Sequence, residues 1–289
     1  RMARPNAVRM LLPDARGLWL GGNAELLRER HGLTQLIRFE PGRIGGIPRQ
    51  RLWTGVQDRD LGLWMASPGG GILHLPLEAD RFSVWQPSYG ANAGLRDGRV
   101  TAVTQDASGS VWITTHAGGL HRLDPVSGDI QAVALDVPAE TLWQPLYEAP
   151  DRLWLARKSG VDLYRITPDR QLQSLRRWAA PELLEGVPDL LYRTPDGQIW
   201  ASAMGAGVNR IDTAGAVHRY PFEQGEFIGT ETQMIGAGLD GAVWIATDRG
   251  LYAWDASCDC LRTLIADARV SAYALAPDQR VYAMVDGQL

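Results

Sequence analysis

The sequence predicts an all-β fold: a seven-bladed β-propeller of four-stranded antiparallel blades, with the last blade incomplete. Three observations carry that expectation. Six of the eleven tryptophans (Trp19, Trp64, Trp112, Trp154, Trp200 and Trp244) recur at gaps of 45, 48, 42, 46 and 44 residues, and Tyr282 takes the same place 38 residues further on. Each follows a tight turn and precedes a small or Gly-rich break and a second apolar run, as in GGGILHL, SGVDLYRI, GAGVNRI and DRGLYAW. No helical period extends beyond a turn or two, and short strands at regular spacing exclude a parallel βαβ fold.

The blades are expected at about 7–49, 50–97, 98–139, 140–186, 187–229, 230–267 and 268–289, all in a single domain spanning 1–289. Residues 100–135 are the clearest copy. VTAVTQ alternates as a half-buried strand does. Asp106 to Gly109 is a tight turn, where Gly supplies a backbone geometry other residues resist. VWITT is the second strand, GLHRL the third after Gly118 and Gly119, and IQAVAL the fourth after the turn DPVSGD. The turn before the marker ring reads ARGLW, DLGLW, PDRLW, PDGQIW and LDGAVW elsewhere, and PDQRVY in the last copy. A blade's second strand is covered on both faces, so a Trp ring there fills the wedge between neighbouring sheets and removes about 150–250 Å² from water. All seven markers are therefore read as framework, and the turn carboxylates as turn chemistry. The last copy stops at VDGQL, so the seventh blade is expected to lack its outermost strand. Residues 178–187, WAAPELLEGV, are expected to form one short helical turn between blades.

With 289 residues, 45% of them hydrophobic, the chain can bury a large core, and a net charge of −4 argues against a nucleic-acid partner. No apolar run of 18 residues is present to span a membrane. The chain opens on Arg1 without a signal peptide, so it is expected to be a processed or excised piece of a longer protein. Cys258 and Cys260, in DASCDC, supply too few ligands for a structural zinc site and leave open two thiols or one strained bridge. No nucleophile elbow, zinc-protease helix or P-loop occurs, so no catalytic residue, metal or cofactor is assigned.

Recognition is expected in the loops, because the strands repeat and the loops vary. The loop between second and third strands carries Asn23, His116, Lys158, Met204 and Arg249. The connections between blades open at the same end and add Tyr89, Asn92, Trp143, Trp178, Glu226 and Glu231. Of these, His116, Trp143, Lys158, Arg249, Glu231 and Tyr89 are the candidate ligand contacts. Aromatic, amide and charged groups together suit a small polar ligand such as a glycan fragment. His74 and His121 both follow a Leu in a third strand and are read as one framework position, filled elsewhere by Tyr164, Asn209 and Tyr252. His31 and His218 are read as exposed.

The unit V-x-x-x-x-x-D-x-x-G-x-[IV]-W-[IL]-x-T-x-x-G-G-L, matched closely at 100–122 and moderately at 189–211 and 232–252, resembles the two-component regulator propeller repeat. The looser copies extend that resemblance over nearly the whole chain. It implies the extracytoplasmic, periplasmic sensor region of a bacterial membrane receptor with no catalysis of its own. A second propeller, and a histidine kinase or diguanylate cyclase, would lie elsewhere in the same chain. The P-D-G-x-[IL]-W turn also resembles that of streptogramin lyases, which are metal-dependent propeller enzymes, although no late His here falls at a channel position. A protein-interaction scaffold anchored by Trp53, Trp85, Trp143, Trp178 and Trp254 is the third reading.

Overall fold

A computed structural model describes residues 8–14, 17–23, 25–30, 33–38, 47, 49–76, 83–85, 94–276 and 280–288. Sheet 1 comprises β1 (Met10–Asp14), β2 (Gly17–Gly21), β3 (Glu25–Arg30) and β4 (Leu33–Arg38). Sheet 2 comprises β5 (Thr54–Gln57), β6 (Leu63–Ser67), β7 (Gly71–Leu75) and β8 (Ser83–Trp85). Sheet 3 comprises β9 (Val100–Gln105), β10 (Val111–Thr115), β11 (Gly119–Leu123) and β12 (Ile130–Val133). Sheet 4 comprises β13 (Leu142–Glu148), β14 (Arg152–Arg157), β15 (Gly160–Ile166) and β16 (Leu172–Trp178). Sheet 5 comprises β17 (Leu191–Arg193), β18 (Ile199–Ala203), β19 (Gly207–Ile211) and β20 (Val217–Pro221). Sheet 6 comprises β21 (Thr232–Ala237), β22 (Val243–Thr247), β23 (Gly250–Asp255) and β24 (Cys260–Ala266). Sheet 7 holds β25 (Val270–Leu275) and β26 (Val281–Val285). Strands neighbour one another in chain order, so each sheet is a meander. The chain divides into two compact units, residues 1–155 with 163–175 and residues 156–162 with 176–289.

The second strands are the most buried elements: every residue of β6, β10, β18 and β22 is buried. Because strand side chains alternate between faces, such a strand serves two cores. Val243 and Ile245 pack with Trp200 and Val208 of sheet 5, whereas Trp244 and Ala246 pack with Val270 and Tyr273 of sheet 7. The Trp ring meets the sheet that follows in chain order. Trp19 packs against Leu63 and Met65, Trp64 against Val100 and Val111, and Trp112 against Leu142 and Leu153. The six tryptophans are no more than 8% exposed, and Tyr282 is half-buried.

The turn before the Trp does more than reverse the chain. A carboxylate six residues upstream accepts the indole N–H: Asp58 from Trp64 at 3.0 Å, Asp106 from Trp112 at 2.8 Å and Glu148 from Trp154 at 2.7 Å. Asp106 also accepts the backbone N–H groups of Ser108 and Ser110 at 2.8 and 3.1 Å. In sheet 5 the upstream residue is Thr194, and the buried Nε1 of Trp200 has no partner. In sheet 6 it is Gly238, where a Cβ would lie 2.1 Å from Trp244 Nε1.

Several expectations need correction. Seven four-stranded blades with one short of a single strand are replaced by six four-stranded sheets and a two-stranded sheet 7. β26 ends in a turn with Asp286 and Gly287 at φ 48° and 75°, where Val285 and Gln288 exchange both backbone hydrogen bonds as at the tip of a hairpin, and the described residues end there. His74 and His121 are not one position: His74 pairs with Trp64, whereas His121 pairs with Ile113 and Arg122 pairs with Trp112. That one-residue offset places them on opposite faces. His74 stacks on Trp64 at 4.0 Å, and its pKa is lowered by burial against the pull of Asp58. His121 is fully buried, its Nε2 accepts the Arg96 N–H at 3.2 Å, and burial with the Arg96 charge lowers its pKa to about 4. Trp178, expected in an open connection, is 2% exposed, and its Nε1 donates to the Gly215 carbonyl at 3.0 Å. Residues 178–187 do contain the single helical turn expected of them, closed by the Leu183 N–H to Ala179 C=O bond at 3.0 Å. Cys258 and Cys260 form a disulfide.

Candidate functional site

The ends of the second strands and the starts of the first strands share one backbone device. The first residue after the second strand donates its N–H to a carbonyl just ahead of the first strand: His116 to Arg99, Met204 to Val187, Asp248 to Glu231 and Asp286 to Arg269. The bond fixes where the next side chains emerge, so the framework sets the position and the sequence chooses the chemistry.

In sheet 3 that side chain is His116. Thr101 donates to the Leu142 carbonyl at 2.8 Å and Thr114 to the Trp143 carbonyl at 3.1 Å, which ties the start of β13 to sheet 3. Trp143 is thereby set edge-on to His116, with ring centroids 5.8 Å apart and planes at 82°. His116 Nδ1 and Trp143 Nε1 are both buried and have no hydrogen-bond partner. Below them Asp97 accepts the N–H groups of Arg99 and Ala117 at 3.0 and 2.8 Å. Burial pushes the Asp97 carboxyl up, but those bonds and the Arg99 charge leave it below the usual range. Two of the six candidate contacts therefore form one corner.

In the second unit, Glu231 and Arg249 flank Asp248. The Asp248 carboxylate accepts the N–H groups of Thr230 and Glu231 at 2.8 and 3.1 Å and the Thr230 hydroxyl at 2.7 Å. Glu231 Oε2 accepts from Gln233 Nε2 at 3.0 Å, and Gln233 Oε1 accepts from Arg269 Nη2 at 3.3 Å. Arg249 is exposed, with its N–H on Thr247 Oγ1 at 3.0 Å. Lys158 is exposed in the turn between β14 and β15. Tyr89, Asn92 and His31 lie outside the described residues.

Asp189, just ahead of β17, was missed by sequence reasoning. Ser202 Oγ accepts the N–H groups of Asp189 and Leu190 at 3.0 and 2.9 Å and donates to the Asp189 carboxylate. Burial, aided by the Glu231 charge and opposed by the Ser202 bond, raises the Asp189 pKa to about 6. Its signal in sequence is only the irregular PDLLY segment before a first strand. Among the described residues no three His, Cys, Asp or Glu side chains cluster as metal ligands, and no helix is long and apolar enough to cross a membrane.

The whole chain superposes, at a TM-score of 0.81 and 16% identity, on 40% of a chain described as the extracellular domain of a hybrid two component system, BT3049 of B. thetaiotaomicron. The fold is a β-propeller. A second extracellular domain from the same organism, described as part of the one component system BT4673, matches 98% of this chain and 39% of its own at 0.78 and 19% identity. A streptogramin B lyase matches all of this chain and 93% of its own at 0.76 and 16% identity. The propeller thus spans about two fifths of the two extracellular-domain chains and nearly the full lyase. No family profile and no curated protein matches its sequence.

Proposed function

We propose that this propeller is a non-catalytic sensor domain of a bacterial membrane signalling receptor. It works in the periplasm and binds a small polar ligand, a glycan fragment being the leading class, at the loop end of its blades. The observation that carries the reading is the His116–Trp143 corner. Two buried polar atoms without partners cost about 1–3 kcal/mol each, and a hydroxyl-bearing ligand that opens the corner, accepts from the indole and bonds the imidazole relieves both. The sequence resemblance and the likeness to two extracellular sensor domains support the setting. Lys158, Arg249, Glu231 and Tyr89 are further contacts in this reading. Sheet 7 is the inner part of a seventh blade in one domain spanning 1–289, and a second propeller or the output domains of the same chain receive the signal. A ligand with different affinities for two arrangements of those domains biases one over the other.

The test is a thermal-shift screen of oligosaccharides and small polar metabolites. A ligand at 100 times its Kd stabilises by about 2.7 kcal/mol, and the shift is expected to vanish in His116→Ala and in Trp143→Phe. A hit whose affinity is unchanged in both variants would sink the assignment of the corner. A lyase-like reading rests on the likeness across 93% of the streptogramin B lyase chain. Ring opening of a cyclic depsipeptide by the purified protein, lost when His116 and His218 are substituted together, would replace the first reading with this one.

A further inference from the structure

The outer strands of sheets 5 and 6 border a groove of about 450 Å³, whose walls include His218, Tyr220, Glu226, Phe227, Leu261 and Arg262. Tyr220 and Asp259 of its lining belong to a polar cluster outside the loop end of the blades. Arg210 of β19, only 8% exposed, donates from Nη2 to Asp259 Oδ1 at 2.8 Å, from Nη1 to Gln198 Oε1 at 2.6 Å and from Nε to Tyr220 Oη at 2.9 Å. Tyr220 Oη and Trp254 Nε1 donate to the same Asp259 oxygen at 2.5 and 3.1 Å. The guanidinium lies 4.8 Å from the centre of the Trp254 ring. The Asp259 side chain is itself 46% exposed, so the pair is only half sheltered, but its one carboxylate oxygen is the acceptor that Arg210, Tyr220 and Trp254 share between sheets 5 and 6.

Asp259 is the middle residue of Cys258–Asp259–Cys260, and its two neighbours are joined by the disulfide. Its φ of 50° lies in the left-handed region that residues other than Gly enter uncommonly. Cys258 is exposed, Cys260 is half-buried and lines the groove, and exposed disulfides are the labile ones. The turn therefore has two features of a switch: an accessible bond, and a carboxylate whose placement depends on it.

We propose that Cys258–Cys260 is a reducible site through which an extracytoplasmic dithiol governs the Asp259 clip between sheets 5 and 6. One thiolate of the dithiol attacks Cys258 Sγ, the S–S bond breaks, and Cys260 leaves as a thiolate and is protonated. The second thiol of the reductant then resolves the mixed disulfide. Two electrons and two protons pass to the cysteine pair, and the dithiol departs as a disulfide. The freed turn relaxes from its left-handed conformation and withdraws Asp259 from Arg210, Tyr220 and Trp254.

The experiment uses the full chain, purified oxidised and then treated with dithiothreitol, with intact mass confirming the gain of two hydrogens. Reduction is expected to raise amide exchange in β20 and in residues 259–263 by about tenfold or more, and to lower Tm by about 3 °C or more. Cys258→Ser with Cys260→Ser should match the reduced protein and ignore dithiothreitol. Asp259→Asn keeps the disulfide but weakens the clip, so it should show the faster exchange when oxidised, with no further change on reduction. Free thiols in protein purified under oxidising conditions, resistance to dithiothreitol, or confirmed reduction with β20 exchange and Tm unchanged would each overturn the proposal.

Discussion

Trp112 and Trp200 differ in one atom's company. The Trp112 indole N–H has Asp106, whereas the Trp200 N–H is buried without an acceptor. Asp106→Ala should therefore cost about 2–3 kcal/mol, since it strands the indole and two turn N–H groups. Thr194→Asn should gain about 0.5–1.5 kcal/mol, because the amide oxygen can take the Trp200 N–H while its NH2 faces Asp196. Gly238→Ala places a Cβ where Trp244 Nε1 already lies, and should lose about 1–3 kcal/mol. Urea unfolding of the three variants decides all of these. Asp189 makes a pH prediction. Its folded pKa of about 6 lies above the ordinary carboxylate value of 3.8, so the unfolded chain gives up the proton first. Stability should fall as pH rises from about 4 to about 6 and then level off. Asp189→Asn should flatten that arm and be more stable than wild type at pH 7 by up to about 3 kcal/mol, with the gap closing near pH 4. The sequence shows the marker tryptophans because a repeated ring is visible in one dimension. It hides their acceptors, since the position six residues upstream holds Asp or Glu where it takes the indole N–H and Thr194 or Gly238 where it does not.

Strands were legible in proportion to their burial. β10, buried throughout, was read to the residue, as were β9 and β11 beside it. β12 stops at Val133, two residues short of the apolar run IQAVAL. A two-strand sheet is marginal alone, so the amides of β26, which lacks an outer neighbour among the described strands, should exchange about tenfold faster than those of β10; equal protection would count against this. The third-strand register misled for a physical reason. The pair Leu-His occurs in GILHL and GLHRL, but one residue further from the preceding glycine in the first, and a strand turns over at every residue. The loop end was legible only as a region. Variation among copies pointed to His116, but the pairing with Trp143 is made by Thr101 and Thr114, whose hydroxyls bond carbonyls 41 and 29 residues away.

At the scale of the molecule, each described core cluster joins one sheet to the next, an arrangement in which stability is close to a sum of neighbour terms. Trp200 and Trp244 lie on either side of sheet 6, in clusters with no residue in common. The losses caused by Trp200→Phe and Trp244→Phe should add to within about 0.5 kcal/mol in the double variant; a larger departure would mean that sheet 6 transmits strain from one face to the other. The fold was legible because period and composition are global properties of a repeat. The ligand was not, because a repeat by construction says the same thing in every blade.

The rings also give the series of sheets a direction. In the described core clusters Trp19, Trp64, Trp112, Trp200 and Trp244 each pack with the sheet that comes after. A break made just after any of these sheets leaves an indole bare on the earlier piece, while the later piece presents smaller side chains. For sheet 6 the covering is done by Val270 and Tyr273, both on β25, with the Tyr273 hydroxyl bonded to the Trp244 carbonyl at 2.8 Å. Two strands are thus enough to shield the last of these rings from water. Sheet 7 is small in hydrogen bonds, but for Trp244 it is a complete roof.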